Sequence, residues 1–375
     1  MTDSLNTPFM RALAAGIAAN VPVLLWGGPG ETKTAFIENS AAAWGRECRT
    51  IVGSTREAPD FLGVMVQEDS GDIAYSSFKW VRELNEAASG LLFLDEFNTA
   101  SPSTMKGMLR VMQERYVGDV KIKDSVSIVA AANPTEIAVD AYDLPAPMAN
   151  RIMHLDWVFP EDFWLENVAT DFKHAVYPRL SALLTGDAVD RRANIAGAVV
   201  AYLKHAVGQL KPGAPKDATK AGAAWASPRA WTNVIAVLSQ LRADDTEAAL
   251  LVVKGLVGDS AAVKFITWLQ AADLYNPAEV IADPTIVEWD TIRPDRLFAL
   301  VQSLGTLGTS NPDLWSGAAM ALTYCAEAGR PDFATPSAQK LMNAIPAKKK
   351  MPREFQLAFA ELFENTHHSI SAAAA

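Results

Sequence analysis

The run Gly27-Gly28-Pro29-Gly30-Glu31-Thr32-Lys33-Thr34 carries the strongest chemical signal in the chain. It follows an apolar stretch, Val21–Trp26, and opens a helical pattern over Ala35–Trp44. Glycines in that place let the backbone curl until several N–H groups point at one anion. The helix that follows adds the partial positive charge of its N-terminus. The pattern therefore reads as a phosphate loop, with Gly28, Pro29, Gly30, Glu31, Thr32, Lys33, Thr34 and Ala35 against the nucleotide. Lys33 would reach the β- and γ-phosphates of ATP, and the Thr34 hydroxyl would ligate Mg²⁺. Thr32 stands where the motif has its last glycine. A β-branched residue held at positive φ costs about 1–2 kcal/mol, and costs little if the position is already helical. The sequence leaves both open, along with a plain Gly-Pro turn.

A second signal lies about 60 residues on, at Gly90-Leu91-Leu92-Phe93-Leu94-Asp95-Glu96. A buried parallel strand delivers its last residues to the carboxyl edge of the sheet, where a phosphate loop also sits. Asp95 is then placed to hold Mg²⁺ through water, and Glu96 to orient and polarise an attacking water. Either carboxylate alone also fits an ordinary solvated strand end. The two motifs in this order, each on its expected element, fit such an end poorly.

The elements needed to position these groups are legible in residues 1–158. Short apolar runs alternate with helical patterns, as in an α/β domain with a largely parallel sheet. Strands are expected at Val21–Trp26, Arg49–Val52, Leu91–Leu94, Val126–Ala131 and Ile152–Trp157. Two hairpins are expected, one pairing Val64–Val66 with Ile73–Tyr75 and one within Tyr116–Ile122. Beyond Pro160 the apolar spacing becomes helical in Ile195–Leu203, Trp231–Leu241, Glu247–Val257 and Ala261–Leu269. Lys211–Ala224 reads as a loop, and helices recur in Pro294–Leu304, Asp313–Ala328, Thr335–Ala344 and Glu354–Asn365. The terminal Ser-Ala-Ala-Ala-Ala reads as a frayed end or a low-complexity extra.

Composition narrows the field. The chain has 375 residues, half of them hydrophobic and 20% charged, with a net charge of −10. That is ample for a buried core and too apolar for disorder. The acidic balance, with no basic run longer than Lys348–Lys350, disfavours general nucleic-acid binding, which needs clustered Lys and Arg. Cys48 and Cys325 belong to no metal-ligand spacing and read as thiols of a reducing compartment. The stretch Ala12–Trp26 is too short and too interrupted for a membrane span, so the expectation is a soluble, cytoplasmic protein.

Further stretches give the pattern a family. Ala58-Pro59-Asp60-Phe61-Leu62-Gly63, Leu94 through Pro102, Leu109 through Arg115, Ala131-Ala132-Asn133-Pro134, Leu144-Pro145 through Asn150-Arg151 and Ser227-Pro228-Arg229 occur in order after the phosphate loop. Over about residues 5–270 the chain resembles an AAA+ ATPase of the MoxR group, within the dynein-related class. It departs from that pattern at Thr32 for Gly, Thr99 for Arg and Asn150 for Asp.

The resemblance implies an α/β P-loop core with parallel sheet and inserted β-hairpins over 1–158, an all-helical lid over 159–273 and a further helical C-terminal region over 274–375. It implies that Asn133 is the sensor beside the γ-phosphate and attacking water. Arg151 would be an arginine finger entering a neighbouring subunit, and Arg229 a second sensor reaching the γ-phosphate from the lid of its own chain. Arg115 suits the same subunit interface or a solvated helix end. The implied assembly is a homo-oligomeric ring, expected to be a hexamer. It would bind and hydrolyse MgATP to remodel or activate a protein client, with a von Willebrand A domain protein as partner. The hairpins would face the pore or one ring surface, where Tyr75, Phe78, Trp80 and Tyr116 either grip a client or pack. Two other readings stand beside this one: a nucleotide-dependent scaffold with little turnover, which Thr32 supports, and a nucleic-acid-stimulated motor, which the charge opposes.

Overall fold

The computed structural model describes residues 5–138, 140–217, 221–347 and 349–360. The expected frayed end, the last residues of the helix expected over 354–365, and part of the loop over 211–224 lie outside them. The chain divides into two compact units, one formed by residues 1–186 and 209–263, the other by 187–208 and 264–375.

The first unit is built on a five-stranded sheet of β1 (Val23–Trp26), β2 (Glu47–Val52), β5 (Gly90–Asp95), β8 (Val126–Ala132) and β9 (Met153–Asp156), in the order β2-β5-β8-β1-β9. Every neighbouring pair is parallel. The central strands are apolar without alternation because both faces are covered. All seven residues of β8 are buried, as are Val23–Leu25 of β1 and Gly90–Leu94 of β5. Strands were expected at all five places, with no end shifted by more than two residues.

Helix α1 (Pro8–Ala18) precedes β1, and Thr7 caps it by accepting from the Met10 N–H. Helix α2 (Lys33–Ala43) follows the phosphate loop and α5 (Pro102–Glu114) follows β5. A core beneath the sheet gathers Leu24, Leu92, Leu94, Phe61, Phe97, Met108 and Val111. Trp80 and Phe78 pack against it, so of the four aromatics considered for client contact only Tyr75 and Tyr116 stand exposed. Helices α10 (Pro228–Leu238) and α11 (Thr246–Val257) belong to this same unit. Arg11 ties α1 to the start of α11 through its ion pair with Asp245, Nη2 to Oδ1 being 3.0 Å.

Both expected hairpins form, β3 (Val64–Gln67) with β4 (Ile73–Ser76), and β6 (Tyr116–Val117) with β7 (Val120–Lys121). Short helix α3 (Pro59–Leu62) leads into the first. Gly63, at φ +86°, sits where any Cβ would lie 2.7 Å from the Gly118 Cα, so the two hairpin bases touch through backbone. Arg115 secures the second hairpin. Its guanidinium donates to the carbonyls of Lys123, at 2.6 Å, and Val126, and to Asn20 Oδ1 at 3.3 Å. Arg115 is therefore not a solvated helix end, since its guanidinium is bonded within its own chain.

The second unit is helical. Helix α9 (Ala188–His205) packs on α14 (Pro294–Ser310), and α14 also packs on α15 (Trp315–Glu327) and α16 (Pro331–Asn343). Gly197 permits the first contact, since a Cβ there would lie 2.6 Å from the Ala299 carbonyl oxygen. Leu297, Leu304, Trp315, Leu322, Cys325 and Phe355 are the centre of this core. Burial pushes the Cys325 thiol up to about 11, and the half-buried Cys48 likewise, so both are protonated thiols at neutral pH. No helix among the described residues is long and apolar enough to cross a membrane.

Candidate functional site

The site begins at the carboxyl end of β1. Gly27 is buried against the Trp157 ring, where a Cβ would come within 2.6 Å of the Trp157 Cβ. Gly30 follows at φ +80° and Thr32 at φ +57°, ψ +19°. Thr32 therefore takes the left-handed conformation of the glycine it replaces, and the question its sequence position left open is answered on the costly side. Its side chain makes no cap to α2. The first N–H groups of α2 thus keep their donors turned toward the loop, as an anion site needs.

Lys33 is buried, and its ammonium donates to the carbonyls of Gly27 at 2.9 Å and Gly28 at 2.6 Å. Burial lowers its pKa, and the nearby carboxylates of Glu31 and Asp95 oppose that shift. The Thr34 hydroxyl donates to Asp95 Oδ2 at 2.5 Å. The other carboxylate oxygen of Asp95 accepts the Glu96 N–H at 2.8 Å. Residues 61 positions apart in sequence thus meet as a hydroxyl and a carboxylate beside an ammonium. That donor set suits Mg²⁺, which takes one or two protein oxygens and fills its shell with phosphate and water.

Glu96 also has positive φ, +52°, and its carboxylate is hydrogen-bonded to the Ser54 hydroxyl just beyond β2. Asn133 ends β8. Its backbone is held from both sides by the fully buried Asn98, whose Oδ1 accepts the Asn133 N–H at 2.9 Å. The Asn98 Nδ2 donates to the Asn133 carbonyl at 2.8 Å and to the Tyr142 carbonyl at 3.3 Å. Sequence reasoning assigned Asn98 no role. Its place two residues beyond Glu96 was visible, but its reach across to β8 was not.

A cavity of about 340 Å³ opens beside the loop, lined by Thr32, Ala35, Phe36 and Asn39 of α2 with Phe163 and Tyr177. Phe36, Phe163 and Tyr177 meet edge to face at 5.3–5.8 Å. The Tyr177 phenol is raised in pKa by burial and bonded to Asn39. An aromatic wall with an amide at one side, next to the phosphate cradle, suits a nucleotide base. Phe163 and Tyr177 went unnoticed in the sequence because no motif surrounds them.

Arg151 and Arg229 lie elsewhere, together. They line a cleft of about 350 Å³ with Asn20, Pro22, Gln113 and Asn233. Arg151 donates to the Gln113 side-chain carbonyl, and Arg229 is exposed. Asn150 sets this pair in place. Its amide donates to the Trp225 carbonyl at 2.6 Å, and its Oδ1 accepts the Ser227 hydroxyl at 2.6 Å. Ser227 in turn caps α10, the helix that begins with Pro228-Arg229. Asn20 and Pro22 precede β1 whereas the phosphate loop follows it. The four residues of β1 separate the two by roughly 13 Å at the usual strand rise. Arg229 thus keeps company with Arg151 at the end of β1 opposite the phosphate loop.

A parallel sheet of this order, with a phosphate loop at the end of β1 and a carboxylate pair at the end of β5, defines a P-loop nucleotide-binding domain of the AAA+ ATPase class. Residues 22–152 match the AAA domain of the dynein-related subfamily. No curated protein matches the chain. Among solved structures it is similar to a candidate ATPase from Cytophaga hutchinsonii, at 16% identity and a TM-score of 0.41, over 66% of this chain and 80% of that one.

Proposed function

We propose that the chain is an ATP-hydrolysing ring protein whose active sites are shared between neighbouring subunits. The observation that carries this is the separation of charges. Lys33, Thr34, Asp95 and Glu96 collect at one end of β1, and Arg151 with Arg229 at the other. A phosphoryl-transfer site needs guanidinium charge where the transition state spreads its own, and a finger of this kind is worth about 10³–10⁵ in rate in other systems. In a head-to-tail ring the arginine end of one subunit meets the phosphate end of the next.

In this reading the loop amides and Lys33 bind the phosphates, and the aromatic cavity takes the base. Mg²⁺ held through Thr34 and Asp95 would supply charge neutralisation on the β- and γ-oxygens. Glu96, released from Ser54, orients and polarises the attacking water, and Asn133 places its amide beside it. Arg151 and Arg229 come from the neighbour. The product would be a cycle of contacts made with ATP and lost with ADP, able to drive remodelling of a protein client. A hexamer and a partner with a von Willebrand A domain are carried over from the resemblance to the MoxR group, and a cytoplasmic setting agrees with two protonated, unpaired thiols.

Steady-state phosphate release from MgATP against protein concentration tests this. Turnover per subunit should rise with concentration and vanish in Glu96→Gln. ATP binding with ring formation but no release at any concentration would instead favour the scaffold reading, for which the strained Thr32 speaks.

A further inference from the structure

The β3–β4 hairpin carries apolar surface with nothing over it. Met65 is 65% exposed and Ile73 63%, and Val64, Val66 and Tyr75 are exposed as well. The register pairs Met65 with Tyr75 and Gln67 with Ile73, so Met65, Ile73 and Tyr75 share one face while Val64 and Val66 lie on the other. A two-stranded ribbon has little stability of its own. This one is held at its base instead, by the Gly63–Gly118 contact and by Asp119.

The two edges of the ribbon differ. Tyr75 on β4 gives its N–H to Asp119 Oδ2 at 2.6 Å, and its carbonyl accepts the Asp119 N–H at 3.1 Å. Both main-chain groups of Tyr75 therefore point away from β3. In an antiparallel pair its partner Met65 must then point its own N–H and C=O outward, and so must Gln67 two residues on. Among the described residues β3 pairs with β4 alone. Nor does Val64–Gln67 contain the lysine, proline or bulge with which edge strands are usually guarded. The turn carries Glu68, Asp69 and Asp72, and no lysine or arginine lies between Val64 and Ser76. None of these carboxylates forms an ion pair among the described residues.

We infer that the outer edge of β3 receives an extended polypeptide segment of a protein partner, apolar at alternate positions and basic where it passes the turn. Main-chain bonds to Met65 and Gln67 set its direction, the exposed side chains select its apolar positions, and Glu68, Asp69 and Asp72 select its basic end. The inference rests on the remodelling reading only in calling the partner a client.

The test uses the full chain without nucleotide and a fluorescein-labelled twelve-residue peptide, alternating Val and Thr and ending in Lys-Arg-Lys. Fluorescence anisotropy should report binding. The Glu68→Lys/Asp69→Lys double variant should weaken it at least tenfold, as should replacing the three basic residues of the peptide with glutamate. Gln67→Pro removes one outward N–H and leaves the β3–β4 bonds intact, and it too should weaken binding at least tenfold. Phosphate release by these variants in the absence of peptide should match the parent, so loss of docking and loss of the ATPase reading are told apart. Absence of binding, or equal binding by the charge-reversed pair, overturns the inference. So does a change in sedimentation with unchanged peptide affinity, since the edge would then be covered by a second copy of the chain.

Discussion

The two ends of β1 invite comparison. At the carboxyl end an ammonium, a hydroxyl and two carboxylates gather beside the curl of the phosphate loop, with no guanidinium hydrogen-bonded to them among the described residues. At the amino end two guanidiniums share a cleft with amides and with nothing for them to neutralise but Glu114. In the proposed reading each end is half of a phosphoryl-transfer site. The lesson is that the parallel sheet, by sending every strand the same way, makes a molecule with two unlike poles, and unlike poles favour head-to-tail association over face-to-face pairing.

The comparison breaks most sharply at the carboxyl end. Lys33→Ala should abolish nucleotide binding measured by fluorescent-ATP titration, and Glu96→Gln should cut phosphate release by about 10³-fold or more while binding survives. At the amino end, Arg151→Ala should lower turnover by about 10²–10³-fold with unchanged nucleotide affinity. Mixing the Lys33→Ala and Arg151→Ala proteins sharpens the point. Mixed rings contain interfaces with one intact half from each, so activity should reappear above that of either alone. No recovery on mixing, with rings verified by sedimentation, would mean that the two ends serve separate purposes.

Asn98→Ala probes what holds the carboxyl end in shape. It removes the side-chain partner of three backbone groups, so it should destabilise the first unit by about 1–3 kcal/mol in urea unfolding. Turnover should fall roughly 10–100-fold through a misplaced Asn133. Asn98→Asp, which keeps the acceptor for the Asn133 N–H, should recover only part of this.

His154 offers a smaller effect. It is buried on β9, its Nδ1 accepts the Trp26 indole N–H at 3.0 Å, and its Nε2 faces the Ala149 carbonyl at 2.8 Å, which fixes it as the neutral Nε2–H form. Burial lowers its pKa below the ordinary 6.5, with the Ala149 carbonyl and Asp156 opposing. The unfolded chain therefore takes up a proton near pH 6.5 that the native chain refuses. Stability is fully present above that value and declines on acidification, by at most about 1.4 kcal/mol per pH unit from this group. Unfolding midpoints measured from pH 7.5 to 5.5 should fall, and His154→Gln should flatten the decline.

The smallest change expected is from Thr32→Gly. Relief of the left-handed conformation is worth about 1–2 kcal/mol, and the extra freedom of the unfolded glycine returns about 0.5–1. A net gain within about 1 kcal/mol should appear as a slightly higher melting temperature. Unchanged turnover would show that the residue is tolerated at the pole where chemistry occurs.

Much of the carboxyl pole was readable because its parts are local in sequence. A phosphate loop is one contiguous stretch, and Asp95-Glu96 sit at the end of an apolar run, so periodicity and adjacency place them without knowledge of tertiary structure. Thr32 resisted, since two backbone conformations with different costs are both compatible with the same letter. The aromatic cavity resisted for another reason: Phe36 and Tyr177 lie 141 positions apart and each looks like a packing residue. The nearness of Arg229 to Arg151 was not legible, because it depends on Asn150 bridging to Ser227 and Trp225, tertiary hydrogen bonds that spacing does not encode. In the second unit the same limit applies to Gly197, whose reason for being small is a carbonyl more than 100 residues away.

Helix α11 bears on timing as well as on architecture. A Cβ at Gly255 would lie 2.1 Å from the His154 carbonyl oxygen, so the helix backbone rests directly on β9 with no side chain between them. Contact this close leaves no layer that could open to solvent on its own. The amides of residues 246–257 and of β9 should accordingly exchange their hydrogens at one common, slow rate. Deuterium uptake should then divide the first unit by its clock, with the β3–β4 ribbon labelled within seconds and the β9–α11 pair only on global opening.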